Sequence, residues 1–508
     1  MRESRSGKVM RNTVYEVVAE IVSVVCGLVL PRLILSHFGS AYNGVTSSIS
    51  QFISCIAIMK SGIGGVTRAA LYKPLAEKNS RNISEIANAT SGFMRRVAFV
   101  FAISSIVFAS LYPFLVAADF DWFFTFTLVI ILSLSTFFQY FFGLTYQMIL
   151  QADQKNYIIS FVSILQVVAN TIVASILILF GFGIHIVKLG SALVFILPPI
   201  FYNVYVKKKY GIDRTVPANY HLISQRWDAF GHQVANFINN NTDIIVATVI
   251  LGVREVSVYT VYHFVVVALK KAVTAIGSGT TSAFGNMIAK NETCVLKKRF
   301  EQFELLIYYI TSILTTTSVI MITSFVRLYT DGVGDVQYIR PFFGWLICIS
   351  IFFMCIKLPY EQLVYAMGEF RKTRNGAFIE ASINVITSII LSFFVGLNGI
   401  LIGTIIAVSY RALRYNVFVS HNILFRDSKV IICKILYCGI VIGVGYVVST
   451  FFPLEGITSY FLWIKWSGVV FLMTAIISTG FGILFFRKRM CEVLSFLLRT
   501  VGWFFKER

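Results

Sequence analysis

An all-α protein threaded many times through a membrane is what this sequence predicts, on three observations: little charge, apolar runs of helical length, and loops that alternate between basic and bare. Of 508 residues, 57% are hydrophobic and 13% are charged, whereas a soluble domain carries about 25% charged residues. A ~30 Å hydrocarbon core is crossed by about twenty apolar residues in a helix. Runs of that length recur throughout, and they are continuous rather than alternating, as helices require and barrel strands do not.

Taken in order, the runs give Val14–Ser36, Gly44–Ala70, Phe93–Val116, Trp122–Leu150, Tyr157–Phe180 and Ile184–Val206. Ala229–Leu251, Val256–Ala289, Phe303–Leu328, Tyr338–Met367, Ala377–Val395 and Ile400–Val419 follow. Val430–Phe452 and Phe461–Phe486 bring the total to about fourteen spans. The segment after Phe486 mixes Arg and Lys with Leu, Phe and Trp, a pattern that predicts an interfacial amphipathic helix.

The loops set orientation. One set carries Lys73, Lys78, Arg81, Lys155, Lys207, Lys208, Lys209, Lys297, Lys298, Arg299, Arg371, Lys372, Arg374, Arg426 and Lys429. The other ("HFGSAYNG", "AADFDW", "FGFGI", "GLNG", "FPLEGITSY") is nearly free of cations. The positive-inside rule then predicts a multi-pass protein with both termini cytoplasmic. The net charge of +20 is thereby mostly topological, and cations scattered over short loops argue against a nucleic-acid partner. The first apolar run is too long for a cleavable signal. Eight scattered Cys without a C-x-x-C read as small hydrophobes. No phosphate-binding loop, zinc-protease motif or nucleophile elbow is present, so the reading is a non-enzyme with no cofactor and no metal.

The chain also repeats. Aligning Gly39 with Gly252 places Ile63-Gly64 on Ile276-Gly277, Thr67 on Thr280 and Ala70 on Ala283. Asn170 falls near Asn384, and "FGFGI" echoes "GLNGI". The expected organisation is an N-terminal lobe (1–206), a connector (207–228), a C-terminal lobe (229–420), two further spans (421–486) and a cytoplasmic tail (487–508). Six spans in each lobe, an even number, insert in one orientation, which predicts parallel repeats around a central cavity.

Duplicated six-span halves, a glycine in the first outer turn and the start "GLNGILIGT" to the twelfth span resemble the multidrug/oligosaccharidyl-lipid/polysaccharide exporter superfamily. Within it, the likeness is to the polysaccharide flippases that move lipid-linked O-antigen or capsule repeat units. The resemblance implies two helical bundles around an often cationic cavity, in the bacterial cytoplasmic (inner) membrane. It also implies an undecaprenyl-diphosphate-linked oligosaccharide as substrate, with membrane lipids, a polymerase and glycosyltransferases as partners.

Charge inside the spans supplies candidate residues. A mid-bilayer Lys or Arg costs about 2.5–3.5 kcal/mol on insertion scales and faces protein or water. Lys60, Arg68, Lys270, Lys271 and Lys357 are such cations, and Arg32 lies near the outer end of the first span. Together they form a candidate cationic site for a diphosphate. Arg68 also lies close enough to a span end to snorkel, and Lys357 sits one turn before Glu361, close enough to be neutralised by it. His232, Asn236, Asn239, Asn240 and Asp243 fall on one helical stripe, as do Lys270 and Thr274; Glu380 and Asn384 are one turn apart. The neutral members are candidate cavity lining or interhelical glue. Glu16, Glu20, Asp243, Glu361 and Glu380 are the candidates for ion coupling. Export of a lipid-linked repeat unit by alternating access leads. A lipid II flippase, a cation-coupled multidrug antiporter, which needs an anionic cavity, and a non-transporting membrane scaffold are the alternatives.

Overall fold

The computed structural model describes residues 5–60, 63–116, 119–223, 241–277, 280–368 and 370–506. Helices dominate, and no strand occurs among the described residues. The first half runs α1 (Arg5–Phe38), α2 (Ser40–Ile56), α3 (Ile63–Ala76), α4 (Ser80–Leu111), α5 (Trp122–Phe138), α6 (Leu144–Ala152), α7 (Asn156–Leu179) and α8 (Ile184–Tyr210). The second runs α9 (Asn241–Leu251), α10 (Val253–Gly277), α11 (Thr280–Ala289), α12 (Thr293–Tyr329), α13 (Pro341–Ile356), α14 (Leu358–Met367), α15 (Phe370–Val395) and α16 (Leu397–Val419). Two last helices follow, α17 (Val430–Ser449) and α18 (Tyr460–Lys506).

Among the described residues, eleven helical segments are long and apolar enough to cross a bilayer. The other expected spans correspond to the interrupted pair α2–α3, to the shorter apolar α9, and to α16, whose apolar run is broken by Arg411 and Arg414. Outward-facing apolar side chains agree with a lipid environment: Val14, Val17, Ile21 and Val25 line the exposed side of α1, and Phe394 is 80% exposed. Water is a poor solvent for such a surface.

Backbone geometry repeats with the sequence. Gly39 ends α1 at φ 88°, and Gly252 stands before α10 at φ 87°. The other matched left-handed positions are Lys78 with Asn291, Gln154 with Gly368, Gly181 with Gly396, and Gly211 with Phe425, each pair 213 to 215 positions apart. A chain reverses at such residues because positive φ breaks the helix and frees the next segment to turn. The same punctuation in the same order is what a duplicated helical unit leaves behind.

Both halves also interrupt corresponding helices. Between α5 and α6 the chain makes a π-helical turn, Gln139–Gly143. A Cβ on Gly143 would lie 2.7 Å from Pro199 Cα, so only glycine admits that approach. Between α13 and α14 the break falls at Lys357, just before Pro359, which has no N–H to continue the ladder.

Packing divides the chain into two compact units, Met1–Ser257 and Val258–Arg508. In the first, α1 lies on α7, α7 on α8, and α5 on α4 and α8. α9 and the start of α10 belong to this unit because α2 bonds to them. Asn43 donates to Ser257 (2.8 Å), Ser48 meets Thr248 (2.8 Å), and Gln51 donates to Asn241 Oδ1 (2.5 Å). Gly44 faces the Val253 carbonyl so closely that any side chain would collide with it. The unit boundary therefore falls inside α10, later than the connector (207–228) expected from the sequence.

In the second unit the long α12 packs on α13, α17 and α18. α18 bends at Phe486, where φ is −136° and ψ is 38°. Beyond the bend, Met490 and Val493 are buried against Leu305, Leu306 and Tyr309 of α12. The tail thus spends part of its apolar side on α12 and not only on the interface expected from its sequence. Cys348, Cys355 and Cys438 are buried as expected of small hydrophobes; Cys294, Cys433 and Cys491 are exposed.

Candidate functional site

The interruptions deliver charge. In the first unit α2 tightens into a 3-10 turn, Ala57–Lys60, which aims Lys60 at Tyr140 in the π turn. The Tyr140 hydroxyl donates to the Ala57 carbonyl (2.6 Å) and fixes the ring, and Lys60 Nζ sits 5.3 Å from the ring centroid. A cation over an aromatic face is attracted by the ring quadrupole yet keeps its charge. Arg68, on α3, donates to Gln151 Oε1 (2.8 Å). Arg32 is half-buried one residue after Pro31. Glu16 is exposed and accepts from Asn156 (3.2 Å), and Glu20 is exposed on the same helix. Asp243 is half-buried on α9. His232, Asn236, Asn239 and Asn240 lie outside the described residues.

In the second unit Lys270 is half-buried and Lys271 exposed on α10, one turn before Thr274, whose hydroxyl folds back on the carbonyls of Lys270 (2.8 Å) and Lys271 (3.1 Å). Lys357 pairs with Glu380 (3.2 Å) rather than with its helical neighbour Glu361, which accepts from Tyr365 (2.7 Å). Glu380 also meets Arg411 (3.6 Å). Asn384, one turn along α15, donates to Thr404 (3.1 Å). Glu380 therefore stands between two cations, one from the α13–α14 break and one from α16.

No family model and no curated protein matches this sequence. Solved structures do match by fold. Lipid II flippase MurJ, in its inward closed conformation, aligns with a TM-score of 0.69 at 17% identity, over 94% of this chain and 99% of its own. An inward-facing multidrug resistance MATE family transporter of the MOP superfamily gives 0.64 at 13% identity, covering 79% and 94% of the two chains. A MOP superfamily transporter from Pyrococcus furiosus gives 0.58 at 13%, covering 83% and 97%. The chain shares the fold of these three solved structures.

On that fold this sequence builds a second buried ionic cluster. Glu304, 0% exposed, receives two bonds from Arg426 (2.7 and 2.8 Å), one from the Tyr360 hydroxyl (2.5 Å), and Lys434 lies 2.5 Å away. Glu301, one turn earlier, holds Arg489 of the tail at 2.8 Å. Neither Glu304, Lys434 nor Arg411 stands out in the sequence as a site residue. Their one signal is a charge inside or beside an apolar run, in "FEQFELL", "VIICKIL" and "SYRALRY".

Proposed function

We propose that this protein is a flippase that carries an undecaprenyl-diphosphate-linked oligosaccharide across the bacterial cytoplasmic membrane by alternating access. The observation that carries the reading is the setting of Lys60: an intramembrane cation held against a neutral ring, in a chain with an exporter fold. Such a cation is available to a diphosphate, and in a low-dielectric site that attraction is strong. Arg32 and Arg68 are further cations of the first unit, and Lys270, Lys271 and Lys357 are those of the second. Asp243, Glu361 and Glu380, with Glu16 and Glu20, are the carboxylates from which ion coupling would be drawn. The export step falls between glycosyltransferases that build the repeat unit and a polymerase that joins it. A multidrug antiporter of the same fold would need an anionic cavity, which this inventory of cations does not favour.

Lipid II transport is the second reading, supported by the 94% coverage of this chain by the MurJ alignment. One experiment tests the first reading and a companion separates the two. Lys60→Glu and Lys270→Glu should abolish surface polysaccharide while the protein stays at normal level, with Arg tolerated better than Gln. Normal export by the glutamate variants would overturn the cationic mechanism. Rescue of cells depleted of their own lipid II flippase would assign the substrate to the second reading.

A further inference from the structure

One end of the second unit contains a small basic cavity that the transport reading leaves unused. It holds ~140 Å³ between the start of α15 and the end of α16, and Lys372, Gly376, Arg411, Arg414, Tyr415 and Asn422 line it. Three of those side chains are cations, and no carboxylate lines the cavity among the described residues.

Arg411 forms the inner wall and is 5% exposed. Its Nη1 donates to the Thr373 carbonyl (2.9 Å), its Nη2 to the Tyr415 hydroxyl (2.7 Å), and the Tyr415 ring centroid lies 4.0 Å from the guanidinium carbon. Those two bonds use two of the five N–H donors of an arginine. Gly376 leaves the space this guanidinium occupies, because a Cβ there would collide with Arg411 Nη1. Arg411 meets Glu380, which also pairs with Lys357. Glu361 also acts on Lys357 and Tyr415, so the cavity's positive character rests on Arg414 and Lys372 at its rim.

The other margin of the cavity is apolar. Val417 and Phe418 line it, and Leu413 and Val417 are 47% and 41% exposed on the same helix. A fixed guanidinium, two exposed cations at the rim and an adjoining apolar wall match a phosphate that carries hydrocarbon chains. By the positive-inside rule the loop before α15 faces the cytoplasm, where anionic headgroups attract basic side chains. We propose that this cavity binds the phosphate of an anionic membrane lipid, whose chains run along Val417 and Leu413. The site is independent of which substrate the protein moves.

The test is a titration of the purified full chain in detergent with fluorescent phosphatidylglycerol, with phosphatidylcholine and inorganic phosphate as the other arms. Wild type should bind phosphatidylglycerol more tightly than phosphatidylcholine, and millimolar inorganic phosphate should not displace it. Each cation beside an anionic surface is worth about fivefold in affinity, so Lys372→Gln with Arg414→Gln should lose roughly twenty-five-fold. Both side chains are exposed, and an unchanged unfolding midpoint would show that the fold is kept. Arg414→Glu alone, a reversal of one exposed charge, should weaken binding more than Arg414→Gln. Equal binding of the two lipids would overturn the proposal, as would wild-type affinity in the folded variants. Displacement by inorganic phosphate would assign the cavity to a free anion instead of a lipid and would equally overturn it.

Discussion

In the first unit Lys60 rests on the ring of Tyr140 and Arg68 on the amide of Gln151, whereas in the second Lys357, Arg411, Arg426 and Lys434 each face a carboxylate. The two arrangements satisfy the same demand, a cation placed away from bulk water, by different chemistry. A ring or an amide orients a cation and leaves its field intact; a carboxylate cancels one unit of positive charge. The contrast is one of degree: Lys60 keeps its whole field, Lys357 and Arg411 share Glu380 and keep part of theirs, and Arg426 and Lys434 hold helices together. It also explains why deleting one member has different consequences in the two places, since removing one partner of a buried ion pair strands the other.

The largest effect is expected at Glu304. Glu304→Gln takes the carboxylate from Lys434 and leaves Arg426 only the longer contact to Glu301 (3.9 Å), and breaking a buried pair in this way costs about 3–5 kcal/mol. Denaturant unfolding of the purified protein should show that loss, and protein in the membrane should fall with it. An unchanged stability would break the contrast between the units. A smaller loss is expected for Glu380→Gln. The Lys357 side chain is 18% exposed, and Arg411 retains Thr373 and Tyr415. The cost should be about 1.5–3 kcal/mol, the range for hydrogen bonds to charged groups. Lys60→Gln should change stability least, by about 1 kcal/mol or less, the worth of a cation–π contact that is not fully desolvated. A loss at Lys60 as large as that at Glu304 would show that Lys60, too, is a structural charge.

The sequence made the helices legible because each apolar run is a local property of some twenty neighbours. It also made the duplication legible, since Gly39 and Gly252 are visible as letters before they are visible as two φ angles of nearly the same value. The ion pairs were hidden for the opposite reason. Lys357 and Glu361 look like partners at helical spacing, yet the break at Lys357 frees its ammonium to reach Glu380, 23 residues away. Glu304 and Arg426 are 122 residues apart, and no periodicity joins them. Arg411 was concealed inside an apolar span, where its burial depends on Gly376 of another helix being too small to fill the space. The π turn that sets Tyr140 beneath Lys60 rests in the same way on Gly143 meeting Pro199.

The seat of the tail on α12 has a consequence in time. Met490 and Val493 cover Leu305, Leu306 and Tyr309, but they are synthesised roughly 180 residues later, which at about 5–20 residues per second is ~10–40 s. Throughout that interval a strip of α12 stays bare, and Glu301 waits for Arg489. A nascent chain stalled before residue 487 would therefore present a greasy, acid-flanked patch to the insertion and quality-control machinery, while a finished one conceals it.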